Sequence, residues 1–176
     1  MERPCVFCSI IRGDAFAHRV YEDERVLAFL DINPCSPGHT LLIPKAHVGR
    51  LENLSEGDAI ALFLALHRLT GSIQRAVGAP ATTIGINNGP ESGQEVPHLH
   101  IHIIPRFKGD RGGIIQSVAR GYKRPSGEEM NKIAERIREA IREASKRGIR
   151  SRDKFKGQIR LLEWDLICQL SSNPLG

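Results

Sequence analysis

Three histidines alternate strictly in the segment Val96-Pro97-His98-Leu99-His100-Ile101-His102-Ile103-Ile104-Pro105-Arg106. An extended strand sends successive side chains to opposite faces, so His98, His100 and His102 should share one face and Leu99, Ile101 and Ile103 the other. On a helix the same rings would fan over roughly 200 degrees and could not converge on one substrate or metal. Each neutral imidazole carries one donor and one acceptor. Three of them along a half-buried face cost free energy unless a metal, an anion or a hydrogen-bond network engages them. The segment is expected to do chemistry.

A second constellation is Cys5-Val6-Phe7-Cys8. A Cys-x-x-Cys serves as a redox pair, which is expected after a strand in a βαβ unit, or as half of a zinc site. Zinc needs two further nitrogen or sulfur ligands, and the chain offers seven histidines. Two loops add polar groups. Asp31 stands where an apolar strand runs out into Asn33-Pro34-Cys35-Ser36-Pro37-Gly38, a position suited to grasping a ribose hydroxyl or to starting a turn. Gly89-Pro90-Glu91-Ser92-Gly93-Gln94 enters the histidine strand directly. Its glycines permit close backbone approach and its N–H groups could hold phosphate oxygens, against the alternative of a plain hairpin loop.

The elements that must position these residues follow from local patterns. Ser9 to Gly13 reads as a short helical turn stopped by Gly13. His18 to Tyr21 and Arg25 to Ile32 read as a hairpin across Glu22-Asp23-Glu24, His39 to Pro44 as a third strand and Thr82 to Asn88 as a fourth. Ser55 is placed as the N-cap of a long helix reaching about Val77, with Ile60, Leu62, Phe63, Leu66, Leu69 and Ile73 at helical spacing. That helix is expected to be core, with His67 and Arg68 on a solvated face. Ile114 to Val118 is a short strand or an irregular segment. Ser126 caps a second helix from Glu128 to about Lys146, ended by Gly148. Ile159 to Ile167 is apolar enough to dock onto the body or a partner.

The chain has 176 residues with 40% hydrophobic content, which suits one domain plus an appendage: residues 1–146 as the domain and 147–176 as an extension. No apolar run approaches the ~20 residues of a membrane span, and the N-terminus lacks a signal-like core, so a cytoplasmic protein is expected. Four cysteines do not make a disulfide framework. The net charge of +5 is concentrated after Arg106, as a solvated basic face or, more weakly, an RNA-binding one, since only 5% of residues are aromatic.

With the motifs CVFCSIIRG, AFLDINPCSPGHTLLIPKAH and INNGPESGQEVPHLHIHIIPR in view, the chain resembles the histidine-triad (HIT) family of nucleotide hydrolases and transferases over about Cys5 to Arg106. The resemblance implies an α+β fold: an antiparallel five-stranded sheet with a long central helix and a C-terminal helix, the sheet continued across a homodimer. It implies cleavage at the α-phosphate of a purine nucleoside phosphoramidate or dinucleoside polyphosphate, with His100 as nucleophile and a covalent nucleotidyl-histidine intermediate. Supporting histidines would be His102 and His39, and histidines near pKa ~6.5 could supply protons to a leaving group. Asp31 and Ile32 match ribose and base positions, and Asn87, Gly93 and Gln94 match the phosphate loop. Glu95 departs from the serine or threonine usual in similar phosphoramidases; a carboxylate there should repel a polyphosphate leaving group while tolerating an amine. Members with Cys-x-x-Cys look like carriers of structural zinc, here on Cys5, Cys8, His47 and His98. The alternative function is a nucleotide-binding or scaffolding module with incidental catalysis.

Overall fold

Two strands that are apolar along almost their whole length form the centre of the molecule. In the computed structural model, which describes residues 5–118 and 125–155, these are β2 (Val26–Leu30) and β3 (Thr40–Pro44). With β1 (Arg19–Glu22), β4 (Ala81–Gly85) and β5 (Ile101–Arg106) they make an antiparallel sheet in the order β1-β2-β3-β5-β4. Continuous apolar runs are expected where both faces of a strand are covered, and both are. Val26, Ala28, Leu42, Leu99, Ile101 and Ile103 pack with Leu62 and Ala65 of α2 (Glu56–Val77). Leu27, Phe29, Leu41 and Ile43 pack with Phe7 and Ile10 of α1 (Val6–Arg12).

The alternation of the histidine segment therefore sorts as expected. Leu99, Ile101 and Ile103, all fully buried, take the α2 face and leave the three imidazoles to the α1 face. The ladder itself begins later than the sequence suggests. Only His102 lies within β5, paired with Leu41 and Gly85, whereas His98 and His100 precede the strand. Leu99 N–H bonds instead to the Val48 carbonyl at 2.6 Å, so the segment is held beside the Lys45–Arg50 connection.

The N-cap of α2 is as expected. Ser55 Oγ accepts from Asp58 N–H at 3.1 Å, and Gly78 ends the helix at φ +68°. Its faces are not. Leu62, Leu66, Leu69 and Ile73 meet the core, but Ile60 is 63% exposed and Phe63 44% exposed, because they lie on a second apolar face with Leu64. His67 and Arg68 are exposed, as expected. At the N-terminus α1 starts at Val6, earlier than read from the sequence, so Cys5 is its N-cap and Cys8 sits in its first turn. Ile115–Val118 forms a 3₁₀ turn, the irregular alternative.

Residues 5–118 belong to one compact unit and residues 125–155 to a second. The second contains α3 (Gly127–Phe155), opened by a capping box in which Glu129 N–H bonds Ser126 Oγ at 3.2 Å and Ser126 N–H bonds Glu129 Oε2 at 2.7 Å. Gly148 was expected to end this helix, yet it continues to Phe155. A single glycine costs a helix only about 1 kcal/mol, which the residues on either side offset. Ile159 to Ile167 lies outside the described residues. Among the described residues, no helix is long and apolar enough to cross a membrane.

Candidate functional site

Four side chains from three separate segments converge where α1 meets the histidine segment. Ligand atoms of Cys5, Cys8, His47 and His98 all lie within 4.8 Å of one another. His98 is fully buried, and its Nε2–H donates to the Pro44 carbonyl at 2.8 Å. That bond places the proton on Nε2 and leaves a bare lone pair on Nδ1. This Nδ1 sits 3.6 Å from Cys5 Sγ, 3.6 Å from Cys8 Sγ and 3.3 Å from His47 Nδ1, and Cys8 Sγ lies 3.2 Å from His47 Nδ1.

A tetrahedral zinc with bonds of about 2.3 Å to sulfur and about 2.0 Å to nitrogen requires edges of about 3.3 Å between nitrogens and about 3.5 Å between nitrogen and sulfur. These four spacings fit those edges within about 0.3 Å. Burial, reinforced by neighbouring Cys5, raises the Cys8 thiol pKa, so a cation is what would draw this sulfur into thiolate form. The four residues could hold a metal.

The second cluster is ordered by hydrogen bonds of one direction. Ser36 to His39 make a turn with Pro37 at its second position and Gly38 at φ +80°, closed by His39 N–H on the Ser36 carbonyl. A Cβ at Gly38 would also lie 2.7 Å from Val77 Cγ1, so only glycine fits there. This turn delivers the Cys35 backbone N–H to His39 Nδ1 at 3.2 Å. His39 Nε2 in turn faces His102 Nδ1 at 3.0 Å. Asp31 Oδ2 lies 3.5 Å from His39 Nδ1, while its Oδ1 accepts from Asn33 N–H at 2.8 Å. Asp31 thus starts the turn and also faces the histidines. Asp31, His39 and His102 cluster closely enough for a metal, but both His39 nitrogens are engaged in hydrogen bonds, so this group is a network.

His100 stands between the two clusters. It is 6% exposed, and its Nδ1–H donates to the His98 carbonyl at 2.7 Å, which leaves Nε2 bare. The ring lies 4.9 Å from that of His102 and 5.4 Å edge-on from Phe7, which also abuts His98 at 5.8 Å. Burial lowers the pKa of His39, outweighing the opposite pull of Asp31. Burial, then the charges of His100 and His39, lowers that of His102 to about 4. These two rings are therefore neutral at pH 7 and act as hydrogen-bond donors and acceptors, where the sequence suggested a reservoir of protons near pH 6.5.

The loop residues are placed less directly. Gln94 spans the loop, its Oε1 accepting from Gly89 N–H at 2.9 Å and its Nε2 donating to the Gly49 carbonyl at 2.7 Å. Asn87 Nδ2 reaches the Gly93 carbonyl at 3.5 Å, and Gly93 adopts φ +88°. Glu95 is exposed and Ile32 is 91% exposed. Three contributors escaped the sequence reading: the Cys35 amide, the Pro44 carbonyl and Phe7. The first two are backbone atoms with no residue signature; the Pro37-Gly38 turn was the available signal for the first.

Comparisons with known proteins agree with this arrangement. Residues 12–109 match the model of the HIT domain. The protein hit of Bacillus subtilis is 44% identical over 125 residues, covering 68% of this chain and 83% of that one. Adenylylsulfatase HINT3 of Arabidopsis thaliana is 40% identical over 110 residues, 62% of this chain and 56% of that protein. Bis(5'-nucleosyl)-tetraphosphatase [asymmetrical] of Schizosaccharomyces pombe is 40% identical over 90 residues, 51% of this chain and 50% of that protein. Among solved structures, a HIT family member from Bacillus subtilis superposes with a TM-score of 0.68 at 35% identity, covering 78% of this chain and 96% of its own. A zinc-bound histidine triad family protein from Mycobacterium smegmatis gives 0.58 at 40% identity, covering 61% and 78%. Similarity over most of the sheet, in sequence and in structure alike, means that this chain belongs to the HIT family.

Proposed function

We propose that this chain hydrolyses or transfers nucleotides, cleaving the bond from the α-phosphorus of a purine nucleoside phosphoramidate or dinucleoside polyphosphate to its leaving group. The observation that carries this reading is the His100 ring, whose Nδ1–H is held by the His98 carbonyl so that Nε2 offers a lone pair beside His102. Nε2 bonds to the α-phosphorus as the bond to the leaving group breaks, and water then displaces the imidazole, dividing one difficult displacement into two easier ones. Asp31 and Ile32 would hold the ribose and base, and Asn87, Gly93 and Gln94 the phosphate loop. Relatives named as an adenylylsulfatase and a tetraphosphatase support an activity of this class.

Cys5, Cys8, His47 and His98 would hold zinc, which when bound supplies a fixed structural tie and no reaction chemistry. His98 would then be both a ligand, through Nδ1, and the support of His100, through its carbonyl. A homodimer is part of the same reading. Ile60, Phe63 and Leu64 expose apolar surface on α2, and β4, with Ile84 39% exposed, pairs on one side with β5 and among the described residues with no other strand. Light scattering should give twice the chain mass.

The deciding experiment offers adenosine phosphoramidate and diadenosine tetraphosphate to the parent and to His100→Ala, with rapid quenching and intact mass measurement. Turnover with a transient nucleotidyl adduct in the parent, and neither in the variant, is expected. A His100→Ala protein as active as the parent would remove the nucleophile assignment. Tight AMP binding by a parent without turnover would favour a binding module.

A further inference from the structure

We infer that His39 acts through His102: the Cys35 backbone amide and His39 together fix His102 as a hydrogen-bond donor toward the substrate, and His39 itself does not touch the phosphate. This rests on the nucleotide-cleaving reading above and names the division of labour within that site.

The inference follows from one group whose role cannot change. A backbone N–H only donates, so the Cys35 amide at 3.2 Å makes His39 Nδ1 an acceptor. A neutral imidazole has one proton, which must then sit on His39 Nε2. That nitrogen faces His102 Nδ1 at 3.0 Å and donates to it. The His102 proton is thereby confined to its own Nε2. Each hydrogen bond of the chain has its donor matched to an acceptor, with Asp31 Oδ2 standing farther from His39 Nδ1 at 3.5 Å, and the free end is an N–H on a half-buried ring whose centroid lies 4.9 Å from that of His100.

Burial separates the two roles. His39 is 2% exposed, both of its nitrogens are engaged, and its ring offers a phosphate oxygen no approach. His102, at the mouth of the chain, does. Had His102 carried its proton on Nδ1, two N–H groups would oppose each other against His39, and a lone pair would face the negative phosphoryl oxygens. Either arrangement is unfavourable. The donor is thus set before the substrate arrives, in a place where negative charge builds up during displacement at phosphorus.

The proposal is tested by ring-nitrogen NMR together with kinetics on the zinc-replete full chain. In the parent, ¹⁵N–¹H correlation of ¹⁵N-histidine protein should show His102 protonated at Nε2 and His39 protonated at Nε2. His39→Ala should leave His102 a mixture of tautomers and lower kcat about 10- to 100-fold while KM changes less than about twofold. His39→Gln is the discriminating variant. A glutamine can accept from the Cys35 amide through its oxygen and donate to His102 through its nitrogen, so most of kcat and the single tautomer should return.

A His102 proton found on Nδ1 in the parent, or a His39→Ala protein with parental tautomer and kcat, would overturn the inference. Failure of His39→Gln to recover either property, in a protein that unfolds at the parental temperature, would do the same. The underlying functional reading fails differently. A parent inert toward every nucleotide offered, yet with both rings protonated as stated, would refute hydrolysis and support the hydrogen-bond chain.

Discussion

At one end of the segment from His98 to His102 a ring nitrogen meets other lone pairs, and at the other end a ring nitrogen meets an N–H. His98 Nδ1 faces two thiols and His47 Nδ1, an assembly of lone pairs and soft donors that could hold a metal. His102 Nδ1 faces His39, whose proton has been placed by the Cys35 amide, and that set is satisfied without any ion. The residue type is the same at both ends. The difference lies in which backbone group takes the far nitrogen, the Pro44 carbonyl for His98 and the Cys35 amide for His39. An imidazole's role in this fold is thus assigned by main-chain partners, and His100, held by the His98 carbonyl, inherits its orientation from the metal-binding end.

The contrast predicts that the metal set and the ring at His100 can be disabled separately. His100→Ala should lower kcat on the best nucleotide substrate about a thousandfold or more, with zinc content unchanged from about one per chain by elemental analysis. Cys8→Ser should do the reverse. Zinc content should fall to a small fraction, thermal stability should drop by about 3 kcal/mol, and kcat should fall by far less than in His100→Ala. Zinc loss that abolished turnover as completely as loss of His100 would mean that the two are one unit.

Much of this contrast was legible in the residues and some was not. The period-two pattern of Leu99, Ile101 and Ile103 put the three imidazoles on one face, because covering by α2 rewards apolar side chains at alternate positions only. Ser55 marked the start of α2 through capping chemistry that is local. Ile60 and Phe63 were read as core because hydrophobicity marks any apolar face, whichever way it points. The metal set was implied by the resemblance alone: Cys8 and His47, 39 residues apart, and Cys5 and His98, 93 apart, meet only through tertiary structure. Cys35 N–H and Pro44 C=O are groups that every residue of their kind possesses, so no sequence pattern distinguishes them.

Acid should expose the ion-free end next. Folding lowers the His102 pKa from its ordinary 6.5 to about 4, by burial first, so between those values the unfolded chain binds more protons and stability rises with pH. Lowering the pH from 6.5 to 4 should therefore remove about 2 kcal/mol through this ring, allowing for its partial exposure to solvent. Unfolding free energies from denaturant titrations at the two ends of that window should change by about 2 kcal/mol more in the parent than in His102→Gln. Parallel profiles would place the acid sensitivity elsewhere, in His39 or His98, whose pKa values burial also lowers.

The smallest expected effect asks what the two ends share. Both are braced by Leu99, Ile101 and Ile103 against Leu62 and Ala65, so α2 is common support. Its N-terminus is held by Ser55, which accepts from Asp58 N–H and donates to Asp58 Oδ2 at 2.6 Å, while Asp58 Oδ1 pairs with Arg25 at 2.8 Å. Ser55→Ala leaves that first-turn N–H without its cap and should cost about 1 kcal/mol, read as a modest fall in melting temperature. Zinc content and kcat at 25 °C should both stay parental, because a loosened first turn leaves the buried contacts of Leu62 intact. A fall in kcat with full zinc occupancy would instead show that the hydrogen-bonded end depends on α2 more than the metal-binding end does. That asymmetry is physically reasonable, since four coordinate bonds to a bound zinc would hold their geometry far more stiffly than the hydrogen bonds through His39 that position His102.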